Sequence, residues 1–106
     1  MKNSDAVAAL GALAHEDRLA AFRLLVRTGP SGLPSGEIAG SLAIPPTRMS
    51  FHLTALERAG LLRSRRDGRQ VIYSVDIGAM RGLLGFLTED CCNGHPEICG
   101  PVAQSL

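Results

Sequence analysis

The only cysteines of the 106-residue chain, Cys91, Cys92 and Cys99, are crowded near its carboxyl end. An odd number of thiols does not make a disulfide framework, and in a reducing compartment it points to free thiols, catalysis or metal binding. Thiolate sulfur selects soft acceptors. Gly94 and Pro96 allow the segment to fold back, so that Cys99 joins the adjacent pair around a three-coordinate ion. Zinc competes, because His95 would complete a tetrahedral set with the three sulfurs. Two further readings stay open: the thiols are incidental, or one of them oxidises reversibly as a redox sensor. Enzymatic use is the weakest of these. His95 and Glu97 stand near the thiols, but an irregular tail gives no pocket to orient them, and no glycine-rich phosphate loop occurs.

A second set of residues suits DNA. Thr47, Arg48, Ser50 and His52 follow a Pro45-Pro46 turn and offer donors for phosphates or base edges, with Arg48 the best reader of guanine. Arg65, Arg66 and Arg69 cluster around Asp67-Gly68, where a hairpin tip would carry them to flanking phosphates. Plainer roles compete: a solvated helix face, a His52 satisfied by a neighbouring backbone group, and charges that keep a hairpin edge from aggregating. The formal net charge is only +1, so any basic surface must arise from such local clustering.

These groups need elements to position them. Val7, Leu10 and Leu13 predict a short first helix capped by Asn3 or Ser4, and Leu19, Phe22, Leu25 and Val26 predict an amphipathic helix from Glu16 to Arg27, ended by Gly29-Pro30. Loop follows to Pro34. Ser35 then caps a short helix to Leu42 that buries Ile38, Ala39 and Leu42, and Pro46 opens a helix whose stripe is Met49, Leu53, Leu56 and Ala59. Two helices joined by a tight turn form a helix-turn-helix. Leu61 to Arg66 and Gln70 to Val75 read as a hairpin around Asp67-Gly68-Arg69, and Asp76 caps a last helix with the stripe Met80, Leu83, Leu84 and Leu87. That stripe is too apolar to face water in a chain this small; the plain reading is intramolecular core, and burial against a second subunit is the favoured one.

The expected architecture is therefore mainly α with a β-hairpin wing, a winged helix-turn-helix over residues 1–90 with a cysteine-containing tail at 91–106. Apolar residues make up 45% of the chain and charged residues 20%, as in ordinary globular proteins. The apolar stretch from Leu19 to Val26 is broken by Arg23, so no membrane span is expected, and the amino terminus does not read as a secretion signal; the expected compartment is the cytoplasm.

The order of elements, together with His15-Glu-Asp-Arg-Leu19, Ser50-Phe-His-Leu53, Leu56-Glu-Arg-Ala-Gly-Leu61 and Asp67-Gly-Arg69, resembles the ArsR-type (arsenical-resistance) family of metal-sensing winged-helix repressors, over roughly residues 5 to 90. The resemblance implies a homodimer built through the first and last helices, bound to an inverted-repeat operator in double-stranded DNA and released by its effector. It assigns DNA-facing roles to Ser50 and His52, a core role to Leu53 and wing contacts to Arg66 and Arg69. The effector sites of many members are missing. Residues 35 to 42 contain no cysteine pair, and Asp76 is followed by Ile77 and Gly78 rather than by the Asp-x-His of zinc sensors. The carboxy-terminal thiols thus resemble a variant site on the same scaffold, with As(III) or Sb(III) the expected effector and Zn(II) less favoured.

Overall fold

The computed structural model describes residues 1–89. Cys91, Cys92, His95 and Cys99 lie outside the described residues, as does the expected boundary after residue 90. The elements run α1 (Asn3–Leu13), α2 (Glu16–Thr28), β1 (Leu33–Pro34), α3 (Ser35–Leu42), α4 (Pro46–Arg58), β2 (Leu62–Asp67), β3 (Gln70–Val75) and α5 (Ile77–Thr88). The fold is a winged helix-turn-helix: α3 and α4 form the paired helices, and β2 and β3 form the wing.

The core is assembled where the stripes converge. Leu25 of α2, Ile38 of α3, Met49, Leu53 and Leu56 of α4, and Leu61 at the entry to the wing are the largest fully buried side chains. The turn between α3 and α4 is set by Ala43, held in the left-handed region at φ 54°, and by Pro46 at the first turn of α4, where a missing N–H does no harm. Asp76 caps α5 as the sequence predicts, its Oδ1 accepting from the Ala79 N–H at 2.9 Å.

Three features differ from the sequence expectation. The first is α1, which buries Ala6, Ala9 and Ala12 against the core while Val7 is 63% exposed and Leu10 also faces out. Small side chains let α1 pack closely, and the larger ones are left on the outer face. The second concerns caps: α1 begins after Lys2, whose N–H donates to Asp5, and α3 begins after Pro34 rather than at a Ser35 cap. The third is a strand inside the predicted loop. β1 pairs antiparallel with β3, Leu33 opposite Tyr73 and Pro34 opposite Ile72, giving a sheet ordered β1-β3-β2. Pro34 is tolerated because β1 is an edge. The strand is led in by Gly32, at φ 72°, which lies so close to β3 that a Cβ there would stand 2.2 Å from the Tyr73 carbonyl oxygen.

The wing is the expected hairpin, but its first strand runs from Leu62 to Asp67, one residue later than the sequence predicts, so the connection is shorter than Asp67-Gly68-Arg69. Leu62 pairs with Val75 and Asp67 with Gln70, so Gly68 and Arg69 form a two-residue turn, with Gly68 at φ 64° supplying the positive φ such turns require. Among the described residues no helix is long and apolar enough to cross a membrane.

Candidate nucleic-acid interface

Helix α4 presents its polar residues as an amphipathic helix must: with Met49, Leu53 and Leu56 turned inward, Thr47, Arg48 and Ser50 are left exposed at its amino-terminal part. Arg65, Arg66 and Arg69 are exposed on the wing. Arg65 is also tied down, its Nη2 donating to the Ser31 carbonyl at 3.0 Å, so it fastens the wing to the loop before β1. On the other side, Ser64 donates to a carboxylate oxygen of Glu57, linking β2 to α4. The wing and α4 are thereby held as one surface.

His52 departs from its expected DNA-facing role. It is 5% exposed and points inward toward α2, where its Nδ1 accepts a hydrogen bond from Arg18 Nε at 3.1 Å. The reason is helical spacing: His52 lies three residues after Met49 and four before Leu56, on the buried stripe itself. The partner is a side chain rather than a neighbouring backbone group. An acceptor at Nδ1 leaves the proton of the neutral ring on Nε2. That atom makes no hydrogen bond and stands 3.6 Å from Asp17 Oδ2. Burial above all, and then the neighbouring His15 ring and the Arg18 guanidinium, hold the His52 pKa below its ordinary 6.5, with Asp17 pulling the other way. The ring is therefore neutral at physiological pH.

The same Asp17 oxygen lies 3.6 Å from Arg48 Nε, so an inward histidine and an outward arginine share one carboxylate. His15 completes the group: its Nδ1 accepts from the Asp17 N–H at the start of α2, and its ring centroid is 4.5 Å from that of His52. Side-chain ligand atoms of His15, Asp17 and His52 all lie within 4.8 Å of one another. Hydrogen bonding argues against reading this as a metal centre. A cation at His52 Nε2 would force the ring proton onto Nδ1, against the Arg18 N–H, and would sit beside the guanidinium groups of Arg18 and Arg48. The arrangement places the Asp17 carboxylate within ion-pair distance of Arg48, at the amino-terminal part of α4.

One exposed residue of α4 falls outside the sequence expectation. Phe51 is 67% exposed, with the Arg18 guanidinium carbon 6.0 Å from its ring centroid. Its position off the Met49-Leu53-Leu56 stripe is the available signal.

Comparisons with known proteins agree with this geometry. The helix-turn-helix domain family matches residues 13–65. The transcriptional activator HlyU of Vibrio cholerae is 30% identical over 95 residues, covering 89% of this chain and 85% of that protein. Its structure superposes with a TM-score of 0.64 at 32% identity, over 82% of this chain and 97% of that one, and a structure of reduced HlyU gives 0.60 at 31%, over 79% and 88%. A possible transcriptional regulator for arsenical resistance is similar at 25% identity and TM-score 0.67, over 76% of this chain and 81% of that one. The homodimeric winged helix-turn-helix domain Mb0332 of Mycobacterium bovis, a possible ArsR-family regulator, shares the fold at 24% identity and TM-score 0.65, over 87% and 85%. With this fold, this basic helix-and-wing surface and these relatives, the chain belongs to the ArsR-type family of winged helix-turn-helix transcriptional regulators.

Proposed function

We propose that the protein is a cytoplasmic repressor that binds an inverted-repeat operator as a homodimer and is released when arsenite or antimonite is captured by Cys91, Cys92 and Cys99. The observation that carries this reading is the placement of three thiols, in sequence, directly after α5, a helix that buries Leu83 within the chain and, among the described residues, leaves Leu87 exposed. Leu87 near the end of α5, Val7 and Leu10 on α1, and Leu19 and Val26 on α2 are all exposed. An open apolar cleft of about 370 Å³ between α2 and α5 is lined by Leu19, Phe22, Val26 and Met80. Apolar surface of this extent supports burial against a second copy, and Mb0332 is itself homodimeric.

On this reading each protomer lays the exposed face of α4 in a major groove, Arg48 toward a base edge with Thr47 and Ser50 beside it, and Arg66 and Arg69 reach phosphates from the wing. Three thiolates close on a soft three-coordinate ion next to the dimer interface. The dimer geometry then shifts so that the two recognition helices no longer match successive major grooves. A coupling of about 1–3 kcal/mol, or roughly 5- to 150-fold in affinity, is ordinary for such a switch.

The test is serine substitution at each cysteine in turn. Cys91→Ser, Cys92→Ser and Cys99→Ser should each leave operator affinity intact and reduce arsenite-driven release by about tenfold or more. Loss of operator binding in these variants, or full arsenite response in all three, contradicts the proposal. A second reading is favoured by one observation, that a structural relative has been described specifically in its reduced form: thiol oxidation releases DNA. Peroxide with metals chelated should have no effect under the arsenite reading and should release DNA under this one.

A further inference from the structure

Phe51 is the most exposed large apolar side chain among the described residues. The other exposed ones of the helices, Val7 and Leu10 of α1, Leu19 and Val26 of α2, and Ile77 and Leu87 of α5, lie on elements other than the recognition helix. Phe51 is alone on α4, and its surroundings are cationic. Arg48 and Arg58 stand three residues before and seven after it, on the same helical face, and Arg18 approaches its ring. An apolar protein partner covering Phe51 would have to desolvate these guanidinium groups without compensation. Duplex DNA offers phosphates to the arginines and an apolar group to the ring.

A phenyl ring carries no donor or acceptor, so the base feature it can discriminate in the major groove is the thymine 5-methyl group. Beside the ring lies a shallow recess of about 250 Å³, lined by Ser50, Thr54, Ala55 and Arg58 as well as Phe51. The methyl groups of Thr54 and Ala55 extend the apolar surface, and Ser50 and Arg58 border it with donors.

We propose that Phe51 is a specificity-determining residue that reads a thymine methyl in each half-site of the operator. The assignment rests on the DNA-binding reading above and adds a base preference to it.

The experiment uses the full chain under reducing conditions and duplexes enriched by the protein itself from a random-sequence pool. Each thymine of the enriched site is replaced in turn by deoxyuridine, which removes only the methyl. Wild-type protein should lose about fourfold in affinity at one thymine per half-site, the effect of one buried methyl-sized group. Phe51→Ala, which removes an exposed ring and should melt with the wild type, should bind the thymine and uracil duplexes equally. Phe51→Leu keeps an apolar contact and should keep the discrimination. Equal wild-type affinity for thymine and uracil at every position, or unchanged discrimination by Phe51→Ala, overturns the assignment alone. Failure of the pool to enrich any sequence overturns it together with the DNA-binding reading beneath it.

Discussion

Replacing Gly32 by alanine should destabilise the protein more than replacing any other positive-φ glycine of the described residues, and should loosen the wing. At φ 72° the backbone is in the left-handed region, which costs an L-residue about 1–2 kcal/mol. The added Cβ would also meet the Tyr73 carbonyl oxygen at 2.2 Å and its carbon at 2.9 Å, so β1 must withdraw from β3 by roughly 1 Å. Backbone cannot yield as a flexible side chain does, and the bonds between the two short strands are lost at about 1 kcal/mol each. The total is about 3 kcal/mol, a large share of the 5–15 kcal/mol typical of a domain. Gly68→Ala is the control, because φ is 64° there but the space is open, and it should cost only about 1 kcal/mol. Thermal unfolding followed by circular dichroism at one fixed protein concentration should place Gly32→Ala about 10 °C or more below Gly68→Ala. Since Arg65 is anchored to Ser31, next to Gly32, the Gly32 variant should also bind DNA more weakly. Equal melting of the two variants would refute the close approach of β1 to β3.

Stability should rise with pH on account of His52. Its pKa is lowered in the folded protein, so below about pH 6.5 the unfolded chain takes up a proton that the native chain resists; the contribution is fully present above that pH and is lost as pH falls through the lowered value. Urea midpoints across this range should show the slope, His52→Gln should flatten it, and an unchanged slope in the variant would refute the assignment. On the wing, Arg66→Ala and Arg69→Ala should each weaken binding across DNA sequences and reduce the salt slope by about 1, with unfolding unchanged. Arg65→Ala should in addition lower the melting temperature, because its guanidinium holds the Ser31 carbonyl. Asp76→Ala removes the cap of α5 and should cost about 1 kcal/mol by denaturant titration.

The helix-turn-helix and wing are legible in the sequence because local signals there agree with the tertiary structure. Within a helix Pro46 fits only the first turn, and Gly68 fits the positive φ of a two-residue turn. Met49, Leu53 and Leu56 repeat at helical spacing in a helix packed on one side. Legibility fails where the pattern is short or where size misleads. β1 has two residues, too few for any alternation to register, and exists because Gly32 brings it to β3. In α1 the larger Val7 and Leu10 look like the inward face, whereas close packing selects Ala6, Ala9 and Ala12. Residue type and family likeness point His52 toward DNA, yet its spacing from Met49 and Leu56 puts it on the buried stripe. The same spacing puts Phe51 outside. Pairing between Asp17 and Arg48 joins residues far apart in the chain and has no sequence signal.

Each part of the molecule has its own role in this mechanism. In the proposed mechanism helix α4 and the wing would meet DNA, Asp17 would hold Arg48 in place, and exposed apolar residues of α1, α2 and α5 would be covered by a second copy. The thiols after α5 are the proposed switch. The most direct test is fluorescence anisotropy of the reduced protein on its own upstream DNA, titrated with arsenite and, in parallel, with zinc. Release by arsenite alone is the predicted result. Release by zinc would move the site to Cys91, Cys92, His95 and Cys99 as a tetrahedral zinc centre, and indifference to both ions would contradict metal sensing at these thiols.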